Sequence, residues 1–374
     1  MYSKETTCVY NQQQHQGVNT PIFTSTANRY IGYDEILYPR NFNTENQKAI
    51  VDKLCRLEHG EAGMIFSSGT AAIATVLFSF LKAGDHVLLS QEIYGGTVKL
   101  VEEEFPKYNI AFDFVSSADM GNVESMIRES TTVIYTETPS NPLLSVVDLE
   151  AVAAVAEKHN LLSVVDNTFA TPINQNPILL GIDIVVHSGT KYLGGHHDLC
   201  FGAVVTSQRL KDAIYQSALN FGGSLNGLDC YLIERSLKTL SLRVEKQNAS
   251  ALKIATALQE NPQISAVYYP GLQQHPNHVV AARQMTGGFG GMLSFELKDV
   301  ARTETFLGRL QIIIPALSLG GVDTTVCQPS KSSHANLPED ERLALGLRDS
   351  LLRLSVGIED AADLLRDIEN AMNH

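Results

Sequence analysis

The chain has 374 residues, 44% hydrophobic and 18% charged, a balance that suits a globular fold large enough for two domains. A formal net charge of −13 argues against nucleic acid or an anionic membrane as partner, and no apolar run approaches a membrane span or the core of a signal peptide. Cys8, Cys55, Cys200, Cys230 and Cys327 lack the spacing of a zinc site or a disulfide framework, so reduced thiols and a cytoplasmic location are expected.

Residues 1 to about 44 read as an N-terminal arm. A polar start with a Gln run at Gln12 to Gln14 leads into "TPIFTSTANRYIGYDEILYPRNFN", rich in Pro and Asn and with little periodicity. From Gln47 the run "QKAIVDKLCRLEHG" has helical spacing and stops at a Gly. The apolar "GMIFSS" then precedes "GTAAIATVLFSFLKAG", a helix opening on Gly69 and Thr70 and closing at Gly84. The alternation continues with strand "HVLLS", a helix near "GGTVKLVEEEF", strand "TTVIYTE", helix "DLEAVAAVAEKHN", and strands "LLSVVDNT" and "IDIVVHSGT". Short apolar runs between helices predict an α/β domain over 45–240 with a mostly parallel, buried sheet. Beyond about Leu240 the rhythm changes. A long helix through "LRVEKQNASALKIATALQENP" is followed by "ISAVYYPG", "GGMLSFEL", a helix around "ARTETFLGRL", then "LLRLSVGIED" and a last helix, "AADLLRDIENAM". This predicts a smaller α+β domain over 241–374.

Ligands of open α/β sheets lie beyond the carboxyl ends of the strands, and four such ends carry chemistry here. "FSSGTAA" offers the free amides of Gly69 and Thr70 at a helix start, a ready cradle for an anion or simply an N-cap. "SVVDNTFATP" places Asp166 at the end of a buried strand, where a carboxylate needs a cation or several donors. "HSGTKYLGGHHD" ends the next strand with Ser188, Thr190 and Lys191, an amine among hydroxyls that becomes a nucleophile when its pKa is low. "QEIYGGT" sets Tyr94 before two glycines, which let a flat ring lie near the backbone. Together the four ends match what pyridoxal 5'-phosphate requires: an amine for its aldehyde, an acid for its ring nitrogen, a phosphate cradle and a flat group against the ring.

At these residues the chain resembles the trans-sulfuration, or Cys/Met-metabolism, family of pyridoxal-phosphate enzymes, which have the aspartate-aminotransferase type of fold (fold type I). "YPR" (Tyr38 to Arg40), "SSGTAA", "YGGT", "ETPSNP", "VVDNTFATP", "HSGTKYLGGH", "SLGG" and "LLRLSVGIED" occur in the family's order over nearly the whole chain. The resemblance implies that Lys191 carries the Schiff base, Asp166 pairs with the ring nitrogen and Tyr94 stacks on the ring. It implies that Gly69, Thr70, Ser188 and Thr190 hold the phosphate, joined by Tyr38 and Arg40 from the arm of a neighbouring subunit. That makes a homodimer the smallest active unit, commonly paired into a tetramer. Asn141 and Thr168 would lie near the cofactor ring, and Arg353, with Ser318 and Asn141, would bind the substrate carboxylate. His196 and His197, adjacent on a glycine turn, read as structural rather than as metal ligands.

The implied activity is carbon–sulfur bond cleavage in a sulfur amino acid. Lys191 would act as base on the Cα proton and Tyr94 as proton donor to the departing thiolate. Family members that work at the γ carbon often carry a Glu just before "SLGG", whereas this chain has Leu317. Methionine γ-lyases carry a Cys after the stacking Tyr where Gly96 follows "YG" here, and the Arg frequent after "YGGT" is replaced by Val98 and Lys99. The arm reads "YPRNFNTEN" in place of the usual "YSR…NPT". The resulting expectation is β-elimination of cystathionine to homocysteine, pyruvate and ammonia. The alternatives are γ-elimination or γ-replacement and, from another class, a cofactor-binding regulatory protein.

Overall fold

Short Val- and Ile-rich strands pair into the larger of two sheets. In the computed structural model, which describes residues 2–11, 15–117, 119–335 and 338–373, these are β1 (Ala62–Phe66), β2 (His86–Ser90), β3 (Ala111–Val115), β4 (Thr131–Glu137), β5 (Leu162–Asp166), β6 (Ile184–Ser188) and β7 (Gly202–Thr206). The Gln12 to Gln14 run lies outside the described residues. The sheet order is β1-β7-β6-β5-β4-β2-β3, with β2 to β6 parallel and β7 reversed between β6 and β1.

The helices follow as α1 (Lys4–Val9), α2 (Glu45–Glu58), α3 (Gly69–Phe80), α4 (Gly95–Glu104), α5 (Leu149–His159), α6 (Thr171–Asn174), α7 (Gln208–Phe221), α8 (Gly227–Leu237), α9 (Leu240–Glu260), α10 (His278–Gln284), α11 (Thr303–Arg309), α12 (Glu339–Ala344) and α13 (Ala361–Asn373). Alternation along the strands sends one set of side chains to each face. Val164, Ile184, Val186 and Val204 pack with Ile73 and Val76 of α3 and Ile214 of α7. Val165 and Val185 pack with Val152 and Ala156 of α5, while Ile65, Ala203 and Val205 pack with Ile50 and Leu54 of α2. With both faces covered, the strands need no polar side, which explains their unbroken apolar runs.

The second sheet consists of β8 (Ile264–Tyr268), β9 (Met292–Leu297), β10 (Ile314–Pro315), β11 (Thr325–Cys327) and β12 (Leu351–Ser355), in the order β10-β11-β12-β9-β8. Helix α9 serves both cores: Leu240 and Val244 pack beneath the first sheet, and Ile254, Ala255 and Leu258 join Leu364 and Ile368 of α13 on the second.

Several elements depart from the expectation. Helix α2 begins at Glu45 because Thr44 and Gln47 form a reciprocal capping box, which makes Gln47 the third helical residue. Helix α3 ends at Phe80, and Gly84 instead makes a turn with φ +94°. Strands β3 and β7 and helices α7 and α8 were not anticipated. β3 is a half-exposed edge strand, and β7 opens on a glycine.

The arm is not extended throughout either. Lys4–Val9 is a helix whose Cys8 is fully buried in the core shared with α2 and α9. Its carbonyl end meets a buried cation: the Lys53 ammonium, on a side chain with no exposed surface, donates to the carbonyls of Cys8 at 2.7 Å and Tyr10 at 3.1 Å. Burial lowers the Lys53 pKa to about 8 from 10.5. Between those values the unfolded chain binds more protons than the folded one, so this group's contribution to stability rises with pH. Lys53→Met is expected to cost about 1–3 kcal/mol at neutral pH, because the Cys8 and Tyr10 carbonyls lose their donor. The deficit relative to the parent should widen from pH 8 to 10, and denaturant unfolding at a series of pH values checks this.

Candidate active site

Parallel pairing of β4, β5 and β6 brings their carboxyl ends together. Glu137 stands opposite Asp166, and Asp166 opposite Val186. Asp166 is 4% exposed, and its Oδ1 accepts both the Thr168 N–H at 3.0 Å and the Thr168 hydroxyl at 2.5 Å. The Thr168 oxygen in turn accepts the Ser188 N–H at 2.7 Å. Thr168, read from sequence as a neighbour of the cofactor ring, is thus a bridge from Asp166 to the end of β6. Burial raises the pKa of Asp166, against the Thr168 hydrogen bonds, His187 and Lys191. Among the described residues no Lys or Arg forms an ion pair with it.

Glu137 received no role in the sequence reading, although it ends "TTVIYTE" as Asp166 ends its own strand; that shared strand-end position was the available signal. Burial, then the charge of Asp166, push its carboxyl well above the ordinary range. Its Oε2 accepts the Tyr94 N–H at 2.7 Å and so fixes the start of α4. The Tyr94 ring is 48% exposed. A Cβ at Gly96 would stand 2.3 Å from that ring, so glycine is what allows the ring to fold back over α4.

Lys191 follows β6 in a turn, its N–H donating to the Ser188 carbonyl at 3.2 Å and its carbonyl accepting from Gly195 at 2.7 Å. Burial, then the Arg353 charge, lower the pKa of the Lys191 amine, while Asp166 pulls it up. Lys191 is therefore within electrostatic reach of both Arg353 and Asp166. Gly69 packs directly on Ser188: an added Cβ would lie 2.8 Å from the Ser188 Cβ, so the start of α3 and Ser188 lie side by side. The Ser188 hydroxyl has no protein partner among the described residues. Thr70 is exposed in the first turn of α3. Thr190 differs, because its hydroxyl donates to the Phe201 carbonyl at 3.2 Å and accepts the Phe201 N–H at 3.0 Å.

Arg353 is mounted in the middle of the second sheet, paired in register with Cys327 and Ser294, and is 5% exposed. Its Nη1 donates to Asn141 Oδ1 at 2.8 Å and its Nη2 to the Ser318 carbonyl at 3.2 Å, whereas its buried Nε–H has no partner. Ser318 thus contributes its backbone and is held at φ +73°. A buried guanidinium with an idle donor and no ion pair among the described residues is built for an anion from outside, and its fork suits a carboxylate.

Tyr38 and Arg40 do not join this cluster within one chain. Both are exposed, and Arg40 Nη1 donates to the Leu219 carbonyl at 3.0 Å. His196 bonds the Gly194 carbonyl, and the His197 ring packs against Gly321. Leu317 is 70% exposed.

These residues fit pyridoxal 5'-phosphate. Asp166 has no Lys or Arg ion pair among the described residues and suits a protonated ring nitrogen, the start of α3 beside Ser188 offers donors to a phosphate, and Lys191 is a partly buried amine of lowered pKa. The family model for Cys/Met metabolism PLP-dependent enzymes matches residues 5–373. Cystathionine beta-lyase of Lactococcus lactis subsp. cremoris (strain MG1363) is 43% identical over 359 residues, covering 95% of this chain and 94% of its own. Cystathionine gamma-lyase of Bacillus subtilis (strain 168) is 44% identical over 349 residues, covering 93% and 90%. The solved structure of cystathionine gamma-lyase from Lactobacillus plantarum, complexed with L-serine, superposes with a TM-score of 0.95 at 38% identity over 99% of this chain and 98% of that one. With the resemblance, the fold and the strand-end chemistry in agreement, the chain belongs to the Cys/Met metabolism family of PLP-dependent enzymes and takes pyridoxal 5'-phosphate as its cofactor.

Proposed function

We propose that this enzyme is a carbon–sulfur lyase that cleaves cystathionine by β-elimination to homocysteine, pyruvate and ammonia. The observation that carries the amino-acid part of this reading is the idle, buried Nε–H of Arg353, held in place by Asn141 and the Ser318 carbonyl. Arg353 would bind the substrate α-carboxylate and so orient the Cα–H bond toward the Lys191 amine. Lys191, its pKa lowered by burial, would hold the cofactor and then take the Cα proton. Asp166 would hold the ring nitrogen and the Gly69, Thr70 and Ser188 donors the phosphate. When bound, pyridoxal 5'-phosphate supplies an electron sink for the charge left at Cα. Tyr94, its ring partly open to solvent, would donate a proton to the departing thiolate.

The choice of the β carbon is supported by the apolar Leu317 before Ser318, where a carboxylate is frequent in γ-specific members of the family. A second reading, γ-elimination, is favoured by the similarity to named gamma-lyases at comparable identity. Incubation with cystathionine separates the two: pyruvate with homocysteine is expected, and a predominance of 2-oxobutyrate with cysteine would reverse the choice.

The arm supports a homodimer whose subunits complete each other's sites. Ile22, Phe23, Tyr30, Ile31, Tyr33 and Ile36 are each at least 40% exposed in the single chain, an apolar stretch that a second copy would cover. Arg40 would then reach the partner's phosphate. Subunit mixing tests this. Lys191→Ala and Arg40→Ala homo-oligomers are both expected to be nearly inactive, whereas hybrids of the two regain about half of the sites, one per dimer. Hybrid activity no greater than the sum of the parents would exclude a shared site. Arg353→Lys keeps the charge but loses the fork, and is expected to lower kcat/KM about 10²-fold, equivalent to roughly 3 kcal/mol.

A further inference from the structure

Residues at the ends of β5 and β6 alternate between two sides. Asp166, Thr168 and Ser188 face the site, while Asn167 and His187 point behind it, toward the end of α2. There they meet Glu58, which has no exposed surface. One carboxylate oxygen, Oε1, lies 2.7 Å from His187 Nε2 and accepts the Asn167 side-chain N–H at 2.8 Å. The other, Oε2, is buried without a partner.

The arrangement constrains the protons. An ionised Glu58 can only accept, which makes His187 Nε2 the donor of its contact. A carboxylate this deep requires a positive neighbour. His187 is the only titratable group bonded to it among the described residues; the Lys4 ammonium, which donates to the Ile173 carbonyl at 2.8 Å, faces it from α1. His187 is one residue beyond Val186, the register partner of Asp166, a place from which a positive charge lowers the Asp166 pKa. The frame is stiff. Asn167 is held further by Gln175, its side-chain N–H reaching the Gln175 carbonyl at 3.1 Å and its Oδ1 accepting from Gln175 Nε2 at 2.9 Å. Gln284 of α10 donates to Gln175 in turn at 2.9 Å.

We propose that Glu58 is a positioning residue for the cofactor's ring nitrogen: it holds His187 as an imidazolium behind the β5 and β6 ends, and that charge keeps Asp166 an anion facing the ring. Glu58 touches neither cofactor nor substrate and acts only through His187 and Asp166. The inference rests on the reading of Asp166 as the partner of the ring nitrogen.

The test compares two ligands of the cofactor-stripped, full-length enzyme by equilibrium dialysis. One is pyridoxal 5'-phosphate, and the other is its 1-deaza analogue, in which a CH group replaces the ring nitrogen. Glu58→Gln keeps the volume and the acceptor but removes the charge. It is expected to weaken binding of pyridoxal 5'-phosphate about tenfold or more while changing the deaza analogue less than about twofold. His187→Gln, which keeps a donor toward Glu58, should give the same split and serves if the Glu58 variant does not fold. Equal weakening of both ligands would reduce the pair to packing and overturn the proposal, as would unchanged binding of both. Asp166→Asn is the control. If it too fails to distinguish the ligands, the reading of Asp166 itself is wrong; if it distinguishes them and Glu58→Gln does not, only the role of Glu58 falls.

Discussion

The in-register parallel pairing of β5 with β6 is the constraint on which the site depends. The ladder puts Asp166 opposite Val186, so the residues that follow each strand leave the sheet side by side. Thr168 can then accept from the Ser188 N–H and donate to Asp166, tying an acid to a hydroxyl-bearing turn through one side chain. A one-residue slip of β5 would send Asp166 behind the sheet, and one of β6 would send His187 into the site. Val164 and Ile184 pack on one face and Val165 and Val185 on the other, so both faces of the pair are filled with apolar side chains.

Around this pair the chain buries more charge than folding alone would favour. Asp166, Glu137, Glu58 and Arg353 are each no more than 5% exposed, and Lys53 not at all. Their solutions differ. Glu137 has its pKa pushed up by burial, Lys53 caps carbonyls, Glu58 leans on His187, and Arg353 retains an unused donor. Asp166 and Arg353, neither of them in an ion pair among the described residues, are the two for which cofactor and substrate would offer the opposite charge. Desolvation that weakens the free protein thereby becomes affinity and orientation once cofactor and substrate are present.

The two sheets meet through few but specific bonds. Arg353 reaches Asn141 across from the second sheet, and the Ser294 hydroxyl beside it donates to the Pro142 carbonyl at 2.7 Å. From α9 the buried Arg243 donates to the Tyr192 carbonyl at 2.7 Å, directly after Lys191. Gln247, one turn on, holds the Gly321 carbonyl at 2.8 Å in the loop that carries Ser318. The amine and the carboxylate clamp are thus braced by one helix, which has residues in both cores.

By itself the sequence determined the layer type, the strand-end residues and the chemistry they can perform. Short apolar runs have few alternatives to buried parallel strands, and an amine, an acid, a glycine-rich helix start and an aromatic in that order are a chemical signature before they are a place. It left β7, α8 and the helix hidden at the start of the arm undetermined, whereas α7 was legible, though unread, in the helical spacing of Leu210, Ile214 and Ala218 behind the Ser207 cap. Nor could it assign the Glu58–His187 pair or the engagement of the Thr190 hydroxyl with Phe201. Those depend on which face of a strand end each residue occupies and on groups more than a hundred residues apart meeting in a dry interior, as Glu58 and His187 do. Only the folded chain decides whether a buried polar atom is satisfied or left free for a ligand, since its partner is supplied by tertiary contact and not by its neighbours in sequence.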